Sequence, residues 1–205
     1  MNLVRRKLVV LAALPWLAPL AVRAQRAAPP YVELNPPQQV ESGNKIEVLE
    51  FFWYGCIHCY NLEPRLEMWL KTKPQDVEFR RVPAVFNERW GHDAAIFYAF
   101  DALGVLDKLH RPFFDAIHRD RLRTDNAAAL NQWLEKNGVD PKKFETTVKS
   151  FGVQSKARRA VRLTNDYRID GTPAMTVHGR YTVAAGDAML ETVNQLIAAV
   201  RKSKG

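Results

Sequence analysis

The chain has 205 residues and 47% hydrophobic content, enough for one ordinary globular core and too apolar for a disordered or low-complexity chain. Thirty Lys and Arg against 22 Asp and Glu give a formal charge of +8, but Arg5, Arg6, Lys7 and Arg23 fall in the first 24 residues, which hold no acid, so the remainder carries +4. That modest excess argues against a nucleic-acid binder, as does the cluster KARRAVR (156–162), which has no interleaved aromatics and alternates with Ala and Val as a solvated helix face does.

In chain order, MNLVRRKLVVLAALPWLAPLAVRA has a basic head, an apolar run from Leu8 to Leu20 and small residues at Val22 and Ala24. This three-part layout predicts a secretory signal peptide over 1–24, cleaved after Ala24, and hence export. The alternative, an uncleaved anchor, fits less well because Pro15 and Pro19 interrupt a run already short for a membrane span. Residues 25–43, with four prolines and no apolar periodicity, read as an extended arm. KIEVLEFFWY (45–54) is apolar without alternation, which predicts a central strand buried on both faces. NLEPRLEMWLKT then spaces Leu62, Leu66, Trp69 and Leu70 as one helix face, with Pro64 expected to kink it, and VEFRRVPAVF (77–86) predicts a second strand ended by Pro83.

From 87 to 166 only helices are predicted. Trp90 to Leu103 stops at Gly104, Asp107 to His118 follows, Thr124 or Asp125 caps a helix that stops at Gly138, Asp140-Pro141 opens another, and a longer one spans Val153 to Asp166. PAMTVHGRYTVA (173–184) reads as two short strands around His178-Gly179-Arg180, and a last helix carries Met189, Leu190, Val193, Leu196, Ile197 and Val200 on one face.

The only two cysteines, Cys56 and Cys59, sit where the central strand gives way to a helix. Three chemistries compete for them. Zinc wants four ligands, and His58, His92, His110, His118 and His178 lack ligand spacing, so no metal is expected. A structural disulfide is disfavoured because so short a loop removes little entropy from the unfolded chain. Redox exchange suits the placement best. A thiol at a helix start lies near unsatisfied N–H groups and the positive end of the helix dipole, both favouring thiolate. Cys56 is then the attacking and attacked sulfur and Cys59, one turn on, the resolving thiol; His58 adds a donor beside Cys56. Glu50, an acid inside an apolar strand, is costly to bury unless paired or protonated and is a functional candidate for that reason.

EVLEFFWYGCIHCYNLEP (47–64), with a proline five residues after the second cysteine, and GTPAMTVHGRY (171–181), with Thr-Pro before a late hairpin, resemble the thioredoxin fold. The helical block set into its middle is similar to the DsbA family of bacterial periplasmic disulfide oxidoreductases. The resemblance implies an α/β thioredoxin fold in two parts (44–86 and 167–205) around an all-helical insertion (87–166). It also implies a monomeric periplasmic dithiol oxidase that uses the Cys56–Cys59 disulfide and no other cofactor. Its partners are unfolded exported proteins with free thiols and a quinone-linked inner-membrane oxidase of the DsbB type. Glu50 matches a buried acid that shuttles a proton to Cys59, and Glu63 another acid near the site, although an exposed helix position fits Glu63 as well. Thr172-Pro173 matches a cis-proline turn that faces the disulfide and pairs with an extended peptide. Ile57-His58 departs from the family's familiar Pro-His, which bears on oxidising strength. A reductase or isomerase, or a non-catalytic peptide-binding chaperone using the same groove, are the alternatives.

Overall fold

The computed structural model describes residues 30–204. The leader expected over 1–24 and the first residues of the arm, 25–29, lie outside the described residues. The run of apolar residues after the arm forms β2 (Ile46–Phe52), buried at all seven positions and flanked on both sides. β3 (Val77–Pro83) pairs with it in parallel and β4 (Ala174–Val177) antiparallel; β5 (Tyr181–Ala184) and β1 (Val32–Glu33) complete a sheet ordered β1-β5-β4-β2-β3.

Alternation along β2 decides what each face meets. Ile46 and Val48 join Leu62, Leu66 and Trp69 of α1 (Ile57–Thr72) and Val193, Leu196, Ile197 and Val200 of α7 (Met189–Lys204). Leu49 and Phe51 face the other way, toward Ala160 of α6 (Phe151–Asp166), Tyr167 and Ile169. Each fully buried side chain of this size stabilises the fold by roughly 1.5–3 kcal/mol relative to exposure. Between β3 and β4 come α2 (Glu88–Ala102), α3 (Leu106–His118), α4 (Ala127–Lys136), α5 (Pro141–Val148) and α6, whose own aromatic-rich core includes Phe97, Phe100, Phe113, Phe114 and Phe144. Phe52, Tyr54 and Cys59 belong to that second core, so the end of β2 and the start of α1 are seated on the helical block. Among the described residues no helix is long and apolar enough to cross a membrane.

Two local expectations need correction. The arm is not merely extended: Val32–Glu33 pairs with β5, Leu34 is buried, and Glu41 bridges Arg80 and Arg159, tying the arm to β3 and α6. A two-residue strand leaves no periodicity to read. The cap of α4 is Asn126, whose side chain accepts from Ala129 N–H, and neither Thr124 nor Asp125. Thr124 instead turns inward and donates to the buried Asp93.

The β4–β5 turn fixes the arm as well. Gly179 has a φ of 67°, and a Cβ there would overlap Gln38 O, the same stretch of arm whose N–H donates to Gly179 O. Gly179→Ala is therefore expected to lower stability by roughly 2 kcal/mol, read as a drop in urea midpoint at unchanged slope.

Candidate active site

Register brings the site together. Phe52 lies opposite Pro83 and Phe51 opposite Ala174, so the segments after β2 and β3 and before β4 all emerge at one end of the sheet. Cys56 is the N-cap of α1: its Sγ accepts from Cys59 N–H at 3.4 Å, and the first turn carries no acid to oppose a negative charge. From the β4 side Thr172 O accepts from the Cys56 thiol at 3.3 Å; Pro173 is buried behind it and the Thr172–Pro173 bond is cis. Both cysteines are free thiols, Cys56 half-buried and Cys59 wholly buried.

That difference in surroundings separates the two sulfurs chemically. The Cys59 thiol, the Thr172 side chain and the backbone N–H groups of Cys59 and His58 bring Cys56 down to about 5 against the opposing effect of its partial burial, Cys59 making the largest contribution. Burial pushes Cys59 far up, and the neighbouring Cys56 and Glu50 push it further. His58 presents an exposed imidazole, and its backbone N–H is what acts on the sulfur; the Ile57 side chain is exposed on the same turn. The pair can therefore hold a stable thiolate on the accessible sulfur while keeping the inner one protonated.

Beneath Cys59, Glu50 is completely buried on the β2 face shared with Val48 and Phe52, and its Cα partner across the parallel ladder is Arg81. Arg81 Nε stands 3.1 Å from Glu50 Oε2, yet neither Glu50 oxygen has an aligned hydrogen bond. Burial pushes Glu50 up to about 8; Arg81 opposes this and the Glu63 charge adds to it. Glu63 is buried too, one turn after Cys59 on the inner stripe of α1, with Arg81 Nη2 at 3.0 Å from Oε2 and His110 Nε2 at 3.5 Å from Oε1. Burial works to raise Glu63, but His110 and Arg81 outweigh it and leave the carboxyl lowered. The exposed-helix reading of Glu63 is thus overturned.

Reading the sequence alone passes over Arg81, His110 and Tyr54. Their signals are faint: the second of two adjacent Arg in the mixed strand VEFRRVP, and a His on the inward stripe Leu109, His110, Phe113, Phe114 of α3. On the other side of the cysteines, Trp53 stacks on Trp90 at 4.2 Å and 12° and donates to Asp93 at 2.7 Å. The ring covers Gly55 so closely that a Cβ there would overlap it, which explains a glycine directly before Cys56.

Comparison with known proteins follows the same lines. The profile of the family described as "DSBA-like thioredoxin domain" matches residues 81–198. A "Thiol:disulfide interchange protein DsbA" of Bordetella parapertussis is 43% identical over 198 residues, covering 94% of this chain and 93% of the relative; that of Pseudomonas aeruginosa is 35% identical over 89% of each. The crystal structure of Pseudomonas aeruginosa DsbA superposes with a TM-score of 0.80 at 35% identity, over 85% of this chain and 94% of that one. The oxidoreductase DsbA from Xylella fastidiosa gives 0.76 at 31%, over 85% and 96%.

Proposed function

Because the chain belongs to the DsbA family of thiol:disulfide oxidoreductases, we propose that it is a periplasmic dithiol oxidase that donates a Cys56–Cys59 disulfide to newly exported proteins, its leader removed after Ala24. The observation that carries this reading is the asymmetry of the pair, an accessible acidic Cys56 against a buried Cys59 pushed far up. A client thiolate attacks Cys56 Sγ, the Cys56–Cys59 bond breaks, and the electron pair leaves on Cys59, which takes a proton from Glu50. A second client thiolate then attacks the client sulfur of the mixed disulfide and Cys56 departs as thiolate. The client has lost two electrons and the enzyme holds them as a dithiol. A thiolate this stable is a good leaving group, so exchange runs toward reduced enzyme and oxidised client, the direction for which the DsbA protein is the general example.

His58 supplies a further donor on the client side of Cys56. Thr172 and Pro173 seat an extended client strand against the sulfur through backbone pairing. Arg81 and Glu63 set the charge around Glu50. Reoxidation removes two electrons and two protons, and a quinone-linked inner-membrane oxidase of the DsbB type is the proposed acceptor.

The test mixes oxidised mature protein with a reduced peptide bearing two cysteines. One intramolecular peptide disulfide per enzyme is expected, with the glutathione equilibrium lying toward reduced enzyme. An equilibrium lying toward oxidised enzyme, with efficient reduction of disulfide-bonded clients instead, would establish a reductase.

A further inference from the structure

Two carboxylates under the cysteines share one guanidinium. Glu50 and Glu63 are 0% and 1% exposed, and Arg81 stands between them. Two buried acids against one cation retain a proton, and the question is which of them holds it. The donors are unequal. Glu63 receives Arg81 Nη2 in a hydrogen bond and has His110 Nε2 3.5 Å away, an approach in which that nitrogen has no other partner, whereas both oxygens of Glu50 lack an aligned donor.

His110 is built to keep that arrangement. Its ring meets Phe52, Phe97 and Phe114 edge-on at 5.3, 6.0 and 5.2 Å, and its Nδ1 lies 2.9 Å from the Tyr54 hydroxyl. Burial holds Tyr54 well above its ordinary value, so the hydroxyl keeps its proton; where that proton is donated to Nδ1, the imidazole N–H lies on Nε2, the side facing Glu63. Burial also lowers His110, which keeps the ring neutral. A groove of about 590 Å³ lined by Glu63, Arg81 and His110 connects these groups with the surface.

We propose that His110 is a positioning residue for disulfide exchange: by donating to Glu63 from the helical block it leaves the shared proton on Glu50, beside Cys59, where the leaving thiolate can take it. The inference rests on the proton role assigned to Glu50 above. The groups involved come from every element packed here. Glu50 faces Arg81 of β3, Glu63 and Cys59 of α1, and Cys56 at the start of that helix; His110 faces Tyr54, Glu63, Glu67 and Arg81, with Asp107 and Arg111 on its own helix lining the same groove. Without the His110 donor the proton moves to Glu63, its charge no longer repels Glu50, and Glu50 becomes a fixed carboxylate paired with Arg81.

The test is single-turnover reduction of the oxidised mature protein by glutathione from pH 4 to 10, corrected for the thiolate fraction of glutathione. The parent is expected to show an inflection above neutral pH that Glu50→Gln removes. His110→Phe should move it down by about one unit or more. Glu63→Gln should move it the same way by removing the repelling charge, and the near-isosteric Tyr54→Phe by a smaller amount. Loss of packing alone does not move an inflection, and the last two variants carry the test if His110→Phe fails to fold. An inflection that Glu50→Gln removes but that stays in place in all three of the other variants overturns the role of His110 and leaves that of Glu50 standing. A profile untouched by Glu50→Gln overturns both.

Discussion

Cys56→Ala is expected to abolish disulfide donation outright, whereas Cys59→Ala, which cannot form the internal disulfide, should pass clients only as far as a mixed disulfide. Once glutathione disulfide has put a glutathionyl group on Cys56, a client thiolate displaces glutathione and the client stays held on Cys56. The two outcomes differ because the sulfurs stand in different surroundings. Cys56 is partly exposed at the sheet end where the segments following β2 and β3 and preceding β4 converge, and an incoming thiolate meets it first. Cys59 is 0% exposed within the aromatic core of the helical block, so a client has no route to it. Its one accessible electrophile is a disulfide already formed on Cys56. Without Cys59 the mixed disulfide loses the nucleophile that returns it to oxidised enzyme, and clients with a single cysteine accumulate. After treatment of each variant with glutathione disulfide and then with client, non-reducing gels and intact mass would show adducts of enzyme plus client for Cys59→Ala and none for Cys56→Ala. Peptide binding retained by Cys56→Ala separates an oxidase from a chaperone using the same groove. Residual disulfide donation in Cys56→Ala would mean that Cys59 is the attacked sulfur, contrary to its burial.

The parts of the fold legible in the sequence are those where local pattern and tertiary demand coincide. β2 is buried on both faces, so its composition alone marks it as central. Asp140-Pro141 and the glycines at 104 and 138, both with positive φ, punctuate helices as cap chemistry requires. Where several local solutions were equivalent, a distant contact chose between them. Thr124, Asp125 and Asn126 are three consecutive cap formers, and the bond from Thr124 to Asp93 of α2 turns the first inward. The cysteine pair was visible because its chemistry lies within four residues. The groups beneath it were not, because Glu50 meets Arg81 only through strand register, and Glu63 meets His110 only when α3 packs on α1. Glu63 shows the limit plainly: helical spacing places it on the face of Cys59, but a carboxylate on that face reads as exposed until Arg81 and His110 are known to face it.

The reduced protein is expected to be more stable than the oxidised one at neutral pH, the reverse of what a crosslink usually does. Folding brings the Cys56 thiol down from 9.0 to about 5, so the folded reduced state binds its proton less tightly than the unfolded chain. A depressed value stabilises above the unfolded value and is lost as pH falls through the folded one. The advantage is therefore full above about pH 9, declines between 9 and 5, and vanishes below about 5. At pH 7 about half remains; at about 1.4 kcal/mol per unit, and discounted because the sulfur is only partly buried, it comes to on the order of 2 kcal/mol. Forming the disulfide removes the thiolate and this stabilisation with it, while the short loop it closes returns little entropy. Glu50 has the opposite sign, since a raised carboxyl stabilises at low pH and loses that contribution as pH rises through about 8. It is present in both redox forms, so it bends both curves and largely cancels in their difference. Urea midpoints of the two forms from pH 4 to 9, beside the thiolate absorbance of Cys56, give the comparison. The gap should close on the acid side, at the pH where the absorbance is lost. An oxidised form more stable at pH 7, or a thiolate that appears only near pH 9, would place the protein among reductants.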